Sequence, residues 1–291
     1  MDLRGKRGSS NVEDARGERS AGGFGGGGGG LGLLMTIGRM FGIKGILVAL
    51  VLGGVLWKVG LLDPSMLGGS SSAPAGVVSK DDEARYQFVT KVLTTTEEVW
   101  SEQFQEIGKQ YEFPKMKVYR GKVRTACGTG SAAMGPFYCP GDEKIYIDLS
   151  FYDELANTFQ SPGDFAQAYV IAHEVGHHVQ KLLGASDFVN SKRGQSDFNQ
   201  YSVRLELQAD YYAGVWANHT TQYLEKGDIE EAMRAANAIG DDAIQKRSQG
   251  KVVPHSFTHG TSEQRMRWFN KGLENGTIQG GDTFSMPYRD L

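Results

Sequence analysis

The sequence predicts an α+β protein, mainly helical, in which a small β-sheet accompanies the helices and a single transmembrane helix precedes the folded body. Three observations support this fold class. Apolar residues recur every three to four positions over most of the chain after residue 80, which is typical of amphipathic helices. Two short segments alternate between apolar and polar residues, as half-buried strands do. An apolar run lies upstream, over residues 45–62.

The first 80 residues differ in composition from the rest of the 291-residue chain, because they contain 21 of its 40 glycines. Residues 1–44 combine charged residues with a run of glycines, and such a segment cannot bury a core. It is therefore predicted to be a disordered cytoplasmic tail. A polar linker is predicted over residues 63–80 and one folded domain over residues 81–291.

Residues 45–62 (GILVALVLGGVLWKVGLL) contain a single charged residue, Lys58. About 20 apolar residues span a bilayer, so this segment is predicted to be an uncleaved signal-anchor. A cleaved signal peptide ending near Ala73-Pro74-Ala75 is the alternative. Residues 1–44 carry seven Lys or Arg against four Asp or Glu, so the positive-inside rule predicts a single-pass membrane protein with a cytoplasmic N-terminus and a periplasmic or otherwise extracytoplasmic body.

The body is expected to contain five helices and two strands, with a loop or hairpin between its two cysteines. The helices are predicted over residues 86–107, 164–183, 199–218, 228–248 and 261–274, and the strands over residues 116–119 and 144–149. The whole chain carries 31 Lys and Arg against 34 Asp and Glu. This balance lacks the basic excess of a nucleic-acid-binding protein, so no nucleic-acid partner is expected.

The segment His173-Glu174-Val175-Gly176-His177 carries the clearest chemical signal. On a helix, positions i and i+4 share one face, so the two imidazoles converge there. Two neutral imidazoles suit Zn²⁺, and Glu174 can reach a water on the metal without being a ligand itself. Two ordinary, partly buried histidines are the alternative. His178 lies about 100° further round the helix, so a packing or supporting role is predicted for it.

A second predicted helix carries Glu206 and Asp210, again four residues apart and among apolar neighbours. Catalytic zinc takes three protein ligands and leaves one position open, so Glu206 is the candidate third ligand. Asp210 can accept the outer N–H of a ligand histidine. A solvated acidic face is the alternative, but buried carboxylates need a cation.

The order HEVGHHVQ followed by ELQAD resembles the gluzincin pattern of metallopeptidases. Together with CGTGSAAMGPFYCPGDEKIYIDLSFY and SFTHGTSEQRMRWF, these motifs resemble the bacterial neutral zinc metallopeptidase family over roughly residues 80–275. The resemblance implies one Zn²⁺ per chain held by His173, His177 and Glu206. It implies Glu174 as general base and acid, with Asp210 behind the ligands. It also implies that the strand KIYIDL is the sheet edge on which a peptide lies.

The late segment around His259 resembles the His-then-Arg segment of membrane-associated gluzincins, with Gly260 where those have Pro. His259 is hypothesised to stabilise the oxyanion of a tetrahedral intermediate, with His255, Tyr211 or Tyr212 as competitors. Arg265 is expected to pair with an internal carboxylate.

Cys127 and Cys139 bracket the loop or hairpin and are predicted to form a disulfide in an oxidising compartment. Free thiols are the alternative.

The function predicted from these features is that of a membrane-anchored zinc peptidase acting on peptide or protein substrates. Two alternatives stay open: a catalytically inert, zinc-stabilised envelope scaffold that binds partners, and a zinc amidase acting on cell-wall peptide.

Overall fold

A computed structural model describes residues 1–18 and 78–291, and residues 1–17 and 78–291 form one compact unit. The α+β class, mainly helical with a small sheet, is confirmed. The strands are β1 (Val12–Asp14), β2 (Lys115–Tyr119), β3 (Lys122–Thr125), β4 (Gly128–Ser131), β5 (Phe137–Cys139) and β6 (Lys144–Asp148). The helices are α1 (Lys80–Glu106), α2 (Phe151–Asn157), α3 (Asp164–Leu183), α4 (Ala185–Asn190), α5 (Phe198–His219), α6 (Asp228–Ala238), α7 (Asp241–Gln249) and α8 (Ser262–Asn275).

The main sheet has the strand order β1-β2-β6-β5. Strands β1, β2 and β6 run parallel, and β5 pairs antiparallel with β6. The prediction that the KIYIDL strand forms a sheet edge is therefore wrong, because β6 has a partner on both sides. The sheet edge that contacts α3 is β5, which the sequence analysis left within a loop or hairpin. Strands β3 and β4 form a separate antiparallel hairpin.

The N-terminal residues do not form the predicted tail, because residues 1–17 belong to the folded body. Val12 and Asp14 pair with Met116 and Val118 in β2. The Arg16 guanidinium is buried, forms ion pairs with Asp14 and Glu83, and stacks over the ring of Tyr86. Composition averaged over residues 1–44 concealed this short ordered stretch.

Strand β1 also contradicts the predicted localisation. Neighbouring strands of one sheet cannot lie on opposite sides of a membrane, and β1 pairs with β2 of the body. The prediction of a single-pass protein with its N-terminus and body on opposite sides is therefore wrong. In residues 1–18 and 78–291, no helix is long and apolar enough to cross a membrane. The predicted anchor over residues 45–62 and most of the predicted linker lie outside the described residues.

The segment from His173 to His177 lies on α3, whose bounds match the predicted helix over residues 164–183. Most of its central part is buried, and Gly176 packs against α5. A Cβ at Gly176 would lie 2.9 Å from the carbonyl oxygen of Ala209, so only glycine permits this spacing. Helices α5 and α8 approach each other more closely than α3 and α5 do. A Cβ at Gly214 would lie 2.0 Å from the carbonyl oxygen of Phe269.

The helix predicted over residues 228–248 is two helices, α6 and α7, separated at Ile239–Gly240. A Cβ at Gly240 would lie 2.4 Å from the backbone nitrogen of Ser262, so the chain turns where it meets the start of α8. Thr261 begins α8 with a capping box to Gln264. The turn brings Asp241 close to His259.

The predicted disulfide between Cys127 and Cys139 is confirmed. It closes the hairpin region containing β4 and joins it to the end of the edge strand β5. Cys139, next to Tyr138, is completely buried, and the bond therefore ties the exposed Cys127 end of the hairpin to a fixed point on β5.

Candidate metal centre and cleft

The three predicted ligands converge where α3 and α5 cross. His173 Nε2 lies 3.2 Å from Glu206 Oε2, and His177 Nε2 lies 3.5 Å from Glu206 Oε1. One ligand atom from each of the three side chains falls within 4.8 Å of the other two. Two imidazole nitrogens and one carboxylate at this separation are the donor set of a catalytic zinc site.

The remaining ring nitrogen of each histidine is held by a side chain with an oxygen acceptor. His173 Nδ1 lies 2.8 Å from Asp210 Oδ1, and His177 Nδ1 lies 2.9 Å from Gln180 Oε1. These contacts place the hydrogens on Nδ1 and leave both Nε2 lone pairs directed at the same point. The sequence analysis missed Gln180, although its position three residues after His177 on the same helix was a usable signal.

Asp210 is the centre of a buried ionic network. Its carboxylate accepts hydrogen bonds from Arg265 Nε and Nη2, at 2.8 and 2.9 Å, and from the Tyr169 hydroxyl, at 2.5 Å. Burial acts to raise the pKa of Asp210, but the Arg265 guanidinium and the His173 hydrogen bond outweigh it and hold the pKa at about 2. The predicted pairing of Arg265 with an internal carboxylate is confirmed, and the partner is Asp210.

The charges of His173, His177 and Glu206 favour the binding of a cation between them. Burial acts to lower the pKa of His177, but the adjacent Glu206 carboxylate outweighs it and raises the pKa to about 9. Burial acts to raise the pKa of Glu206, and the neighbouring His177 and His259 nevertheless hold it well below its usual range. Without a metal, protons on the histidines neutralise the negative charge of the Glu206 carboxylate. A divalent cation would neutralise the same charge, so the residues present fit zinc.

Glu174 lies beside the three ligands, in the same cleft, and is 7% exposed. Burial raises its pKa, while the neighbouring histidines act in the opposite direction. The backbone N–H of Tyr138, on the edge strand, also acts to lower the pKa of Glu174. A raised pKa brings a carboxylate closer to the operating range of a general base at neutral pH.

His259 lines the same cleft, with its side chain half exposed. Asp241 fixes the segment that carries it: one carboxylate oxygen accepts the backbone N–H groups of Thr258, His259 and Gly260, and the other lies 3.2 Å from His259 Nδ1. The sequence analysis missed Asp241, because only the turn between α6 and α7 brings it to His259.

The competitors proposed for His259 lie elsewhere. The Tyr211 hydroxyl donates to the Thr277 carbonyl oxygen, and Tyr212 packs edge-on against Trp100. His255 lies in an exposed turn. None of these three side chains is among the described residues that line the cleft.

His178 supports the edge strand, in agreement with the supporting role predicted for it. Its Nε2 donates to the carbonyl oxygen of Glu112 at 2.7 Å, so Nδ1 is the acceptor for the Tyr138 hydroxyl at 3.0 Å. Tyr138 is thereby held through its hydroxyl, and its backbone is paired with Ile145 of β6. Sequence reasoning did not identify Tyr138 as a site residue.

The candidate ligands lie between two cavities of about 520 and 560 Å³, which share Tyr138, His177 and Glu206. The first also contains Glu174 and His259, and its walls are mostly apolar. The second is lined mainly by polar residues of α3, α4 and the start of α5. A chain passing over the candidate metal position would therefore have room on both sides. The apolar wall of the first cavity comprises Phe137, Phe151, Phe159, Val170, Ile239 and Ile244.

Two histidines and a glutamate from crossing helices, with a buried glutamate beside them in an open cleft, are typical of zinc-dependent hydrolases. Comparison with known proteins agrees with this class. The chain belongs to the family described as "Putative neutral zinc metallopeptidase", whose model matches residues 1–284. That description implies zinc, a hydrolase and a peptide or protein substrate.

Two relatives are themselves uncharacterised. The protein YpfJ of Escherichia coli K12 is 47% identical over 98% of this chain and 99% of its own length. A protein of Mycobacterium bovis is 43% identical over 60% of this chain and 64% of its own. No solved structure matches the chain.

Proposed function

We propose that this protein is a zinc-dependent endopeptidase with one Zn²⁺ per chain, held by His173, His177 and Glu206. The observation that carries the proposal is the convergence of these three donors within 4.8 Å of one another, next to the buried carboxylate of Glu174. Bound there, zinc supplies a Lewis acid and lowers the pKa of water towards neutrality.

Glu174 performs the proton transfers in this proposal. Its carboxylate takes a proton from the attacking water and later delivers that proton to the nitrogen of the leaving amine. Burial raises the pKa of Glu174, which makes the carboxylate a stronger base than an exposed one. The backbone N–H of Tyr138 acts in the opposite direction and offsets part of the effect of burial on this pKa.

His259 stabilises negative charge that develops on the oxygen of the scissile carbonyl. It lines the cleft, and Asp241 holds both its backbone and its ring. Burial acts to lower the pKa of His259, but the Glu206 carboxylate, which is the largest influence, and the Asp241 hydrogen bond raise it. A protonated or N–H-donating imidazole held in place stabilises an oxyanion without reorganising.

The substrate lies extended along β5, whose outer edge faces the cleft. An edge strand offers unpaired backbone groups to which an extended peptide adds as another strand. Phe137 and Tyr138 of β5 line the first cavity, and Tyr138 also lines the second. Cavities on both sides of the ligands favour cleavage within a chain over removal of a terminal residue.

The proposal is tested by metal content and by cleavage of an unfolded protein mixture by the full-length purified protein. We expect one zinc per chain, cleavage that a chelator abolishes, and recovery on adding zinc. Zinc at one per chain without cleavage of protein or cell-wall peptide would favour the inert scaffold. Cleavage of cell-wall peptide alone would favour the amidase. A protein that binds no zinc would overturn the proposal.

A further inference from the structure

We propose that the first cavity selects a basic side chain, with Glu154 as the residue that recognises its positive charge. This inference rests on the proposed peptidase function and names the substrate class for the same site. Glu154 lies on α2, is partly buried, and lines the cavity that also contains Glu174 and His259.

The cavity walls suit the long apolar stem of such a side chain. Three of the lining residues are phenylalanines: Phe137 from β5, Phe151 from the start of α2, and Phe159 just after its end. Aromatic rings bind methylene groups through apolar contact. Lysine and arginine combine a three- or four-carbon stem with a cationic end, and they bury the stem against apolar surface.

Among the acidic side chains that line the cavity, the contacts single out Glu154. Arg265 is neutralised by Asp210, to which it donates two hydrogen bonds. Glu206 faces the two histidines, and Glu174 lies beside them as the proposed base. Among residues 1–18 and 78–291, no ion pair or side-chain hydrogen bond reaches the Glu154 carboxylate. It is the one carboxylate on this wall that a substrate can pair with and that the proposed chemistry does not use.

A carboxylate in an apolar wall binds a cation better than it binds a neutral group of the same shape. A partly desolvated carboxylate that gains a cation forms a charge-assisted hydrogen bond, whereas an apolar side chain leaves it without a partner. Norleucine has the stem of lysine without the ammonium group, so the lysine-to-norleucine ratio isolates the contribution of Glu154. A ratio of about tenfold or more in kcat/KM is expected.

The test uses hexapeptides with acetylated and amidated ends, each carrying lysine or norleucine at one position in turn. Wild-type protein should cleave the lysine peptide about tenfold or more faster, by kcat/KM, at one position relative to the scissile bond. Glu154→Gln should reduce that ratio towards one, and Glu154→Lys should reverse it for peptides with glutamate there. Asp153→Asn is the matched control, because Asp153 lies on the same helix but pairs with Arg85 and does not line the cavity.

A second measurement does not depend on turnover. The zinc-loaded Glu174→Gln variant should bind the labelled lysine peptide more tightly than the norleucine peptide, and adding Glu154→Gln should remove the difference. A free α-amino group is the other source of an ammonium ion. If the preference appeared only in peptides with an unblocked N-terminus, the cavity would bind chain ends and the side-chain inference would be wrong.

The two proposals fail in different ways. If wild type cleaves the peptides but norleucine equals lysine at every position, the inference about Glu154 is overturned while the peptidase function stands. A ratio unchanged in Glu154→Gln would also overturn it. If wild type with one zinc per chain cleaves none of the peptides and no unfolded protein, the proposed function fails and the inference fails with it.

Discussion

Replacing Asp210 by Asn should separate the two roles of the buried network, which are stability and metal affinity. Asp210 is completely buried and accepts hydrogen bonds from Arg265, Tyr169 and His173. Asparagine keeps the shape but leaves the Arg265 guanidinium buried without a counter-charge. Breaking a buried ion pair from one side costs about 3–5 kcal/mol, so the metal-free variant should lose about 3 kcal/mol or more of its free energy of unfolding.

The same variant should bind zinc about 10–100-fold more weakly, because the acceptor that orients the His173 ring loses its charge. Both quantities are measurable on one preparation, by urea unfolding of the chelated protein and by competition with a zinc indicator. Asp187→Asn is the control, since that exposed carboxylate pairs with Lys181 on the surface. An exposed pair contributes about 0–1 kcal/mol, so the control should unfold nearly as wild type does.

The stability lost in the Asp210→Asn variant should depend on pH, and the lowered pKa of Asp210 determines the direction. Asp210 has a pKa of about 2 in the folded protein against 3.8 ordinarily. A carboxylate with a lowered folded-state pKa stabilises the protein above its unfolded-state pKa, and this contribution disappears as the pH falls through the folded-state value. The difference between chelated wild type and Asp210→Asn should therefore be full above about pH 4 and shrink towards pH 2.

A double-mutant cycle completes the test. Adding Arg265→Met to Asp210→Asn removes the uncompensated guanidinium, so the double variant should lose less stability than the sum of the single changes. Additive losses, or an Asp210→Asn variant as stable as wild type within about 0.5 kcal/mol, would refute the description of this network as a buried ion pair.

Three further predictions follow from the fold and the cleft. Replacing Cys127 and Cys139 by Ser should lower stability by about 3 kcal/mol, measured by thermal unfolding without reductant, and should slow peptide cleavage because β5 is less restrained. Gly214→Ala should lower the free energy of unfolding in urea by about 1–3 kcal/mol, since the added methyl group meets the Phe269 carbonyl oxygen of α8. An unchanged midpoint of urea unfolding would contradict the close contact between these helices. Asp241→Ala should lower kcat at least about tenfold with unchanged zinc content, because His259 loses the carboxylate that holds its backbone and its ring. Loss of zinc from this variant would instead place Asp241 in the metal centre.

Local sequence patterns predicted the helices that carry the candidate ligands. The spacing of apolar residues predicted α3 at its observed bounds, and the i, i+4 spacing placed His173 and His177 on one face. Glu206 and Asp210 were predicted as a pair on the next long helix, and the structure brings both to the histidines. These features succeed because a helix fixes the relative directions of nearby side chains.

Features that depend on distant pairing were missed or misplaced. Strand β1 has three residues, two of them acidic, and it is ordered because it pairs with a strand about 100 positions away. Strand β6 alternates like an edge strand, but it lies between β2 and β5, and its partner β5 had been left within a loop or hairpin. Asp241 reaches His259 only through the turn at Gly240. Periodicity carries no information on any of these contacts.

The central claim is tested most directly by the Glu174→Gln variant measured beside wild type, with zinc content and peptide cleavage determined on the same samples. Glutamine keeps the size of the side chain, but it cannot take a proton from water. We predict one zinc per chain and equal thermal stability in both proteins, with cleavage reduced by a factor of at least about 100 in the variant. Cleavage by the variant at the wild-type rate would contradict the proposed mechanism.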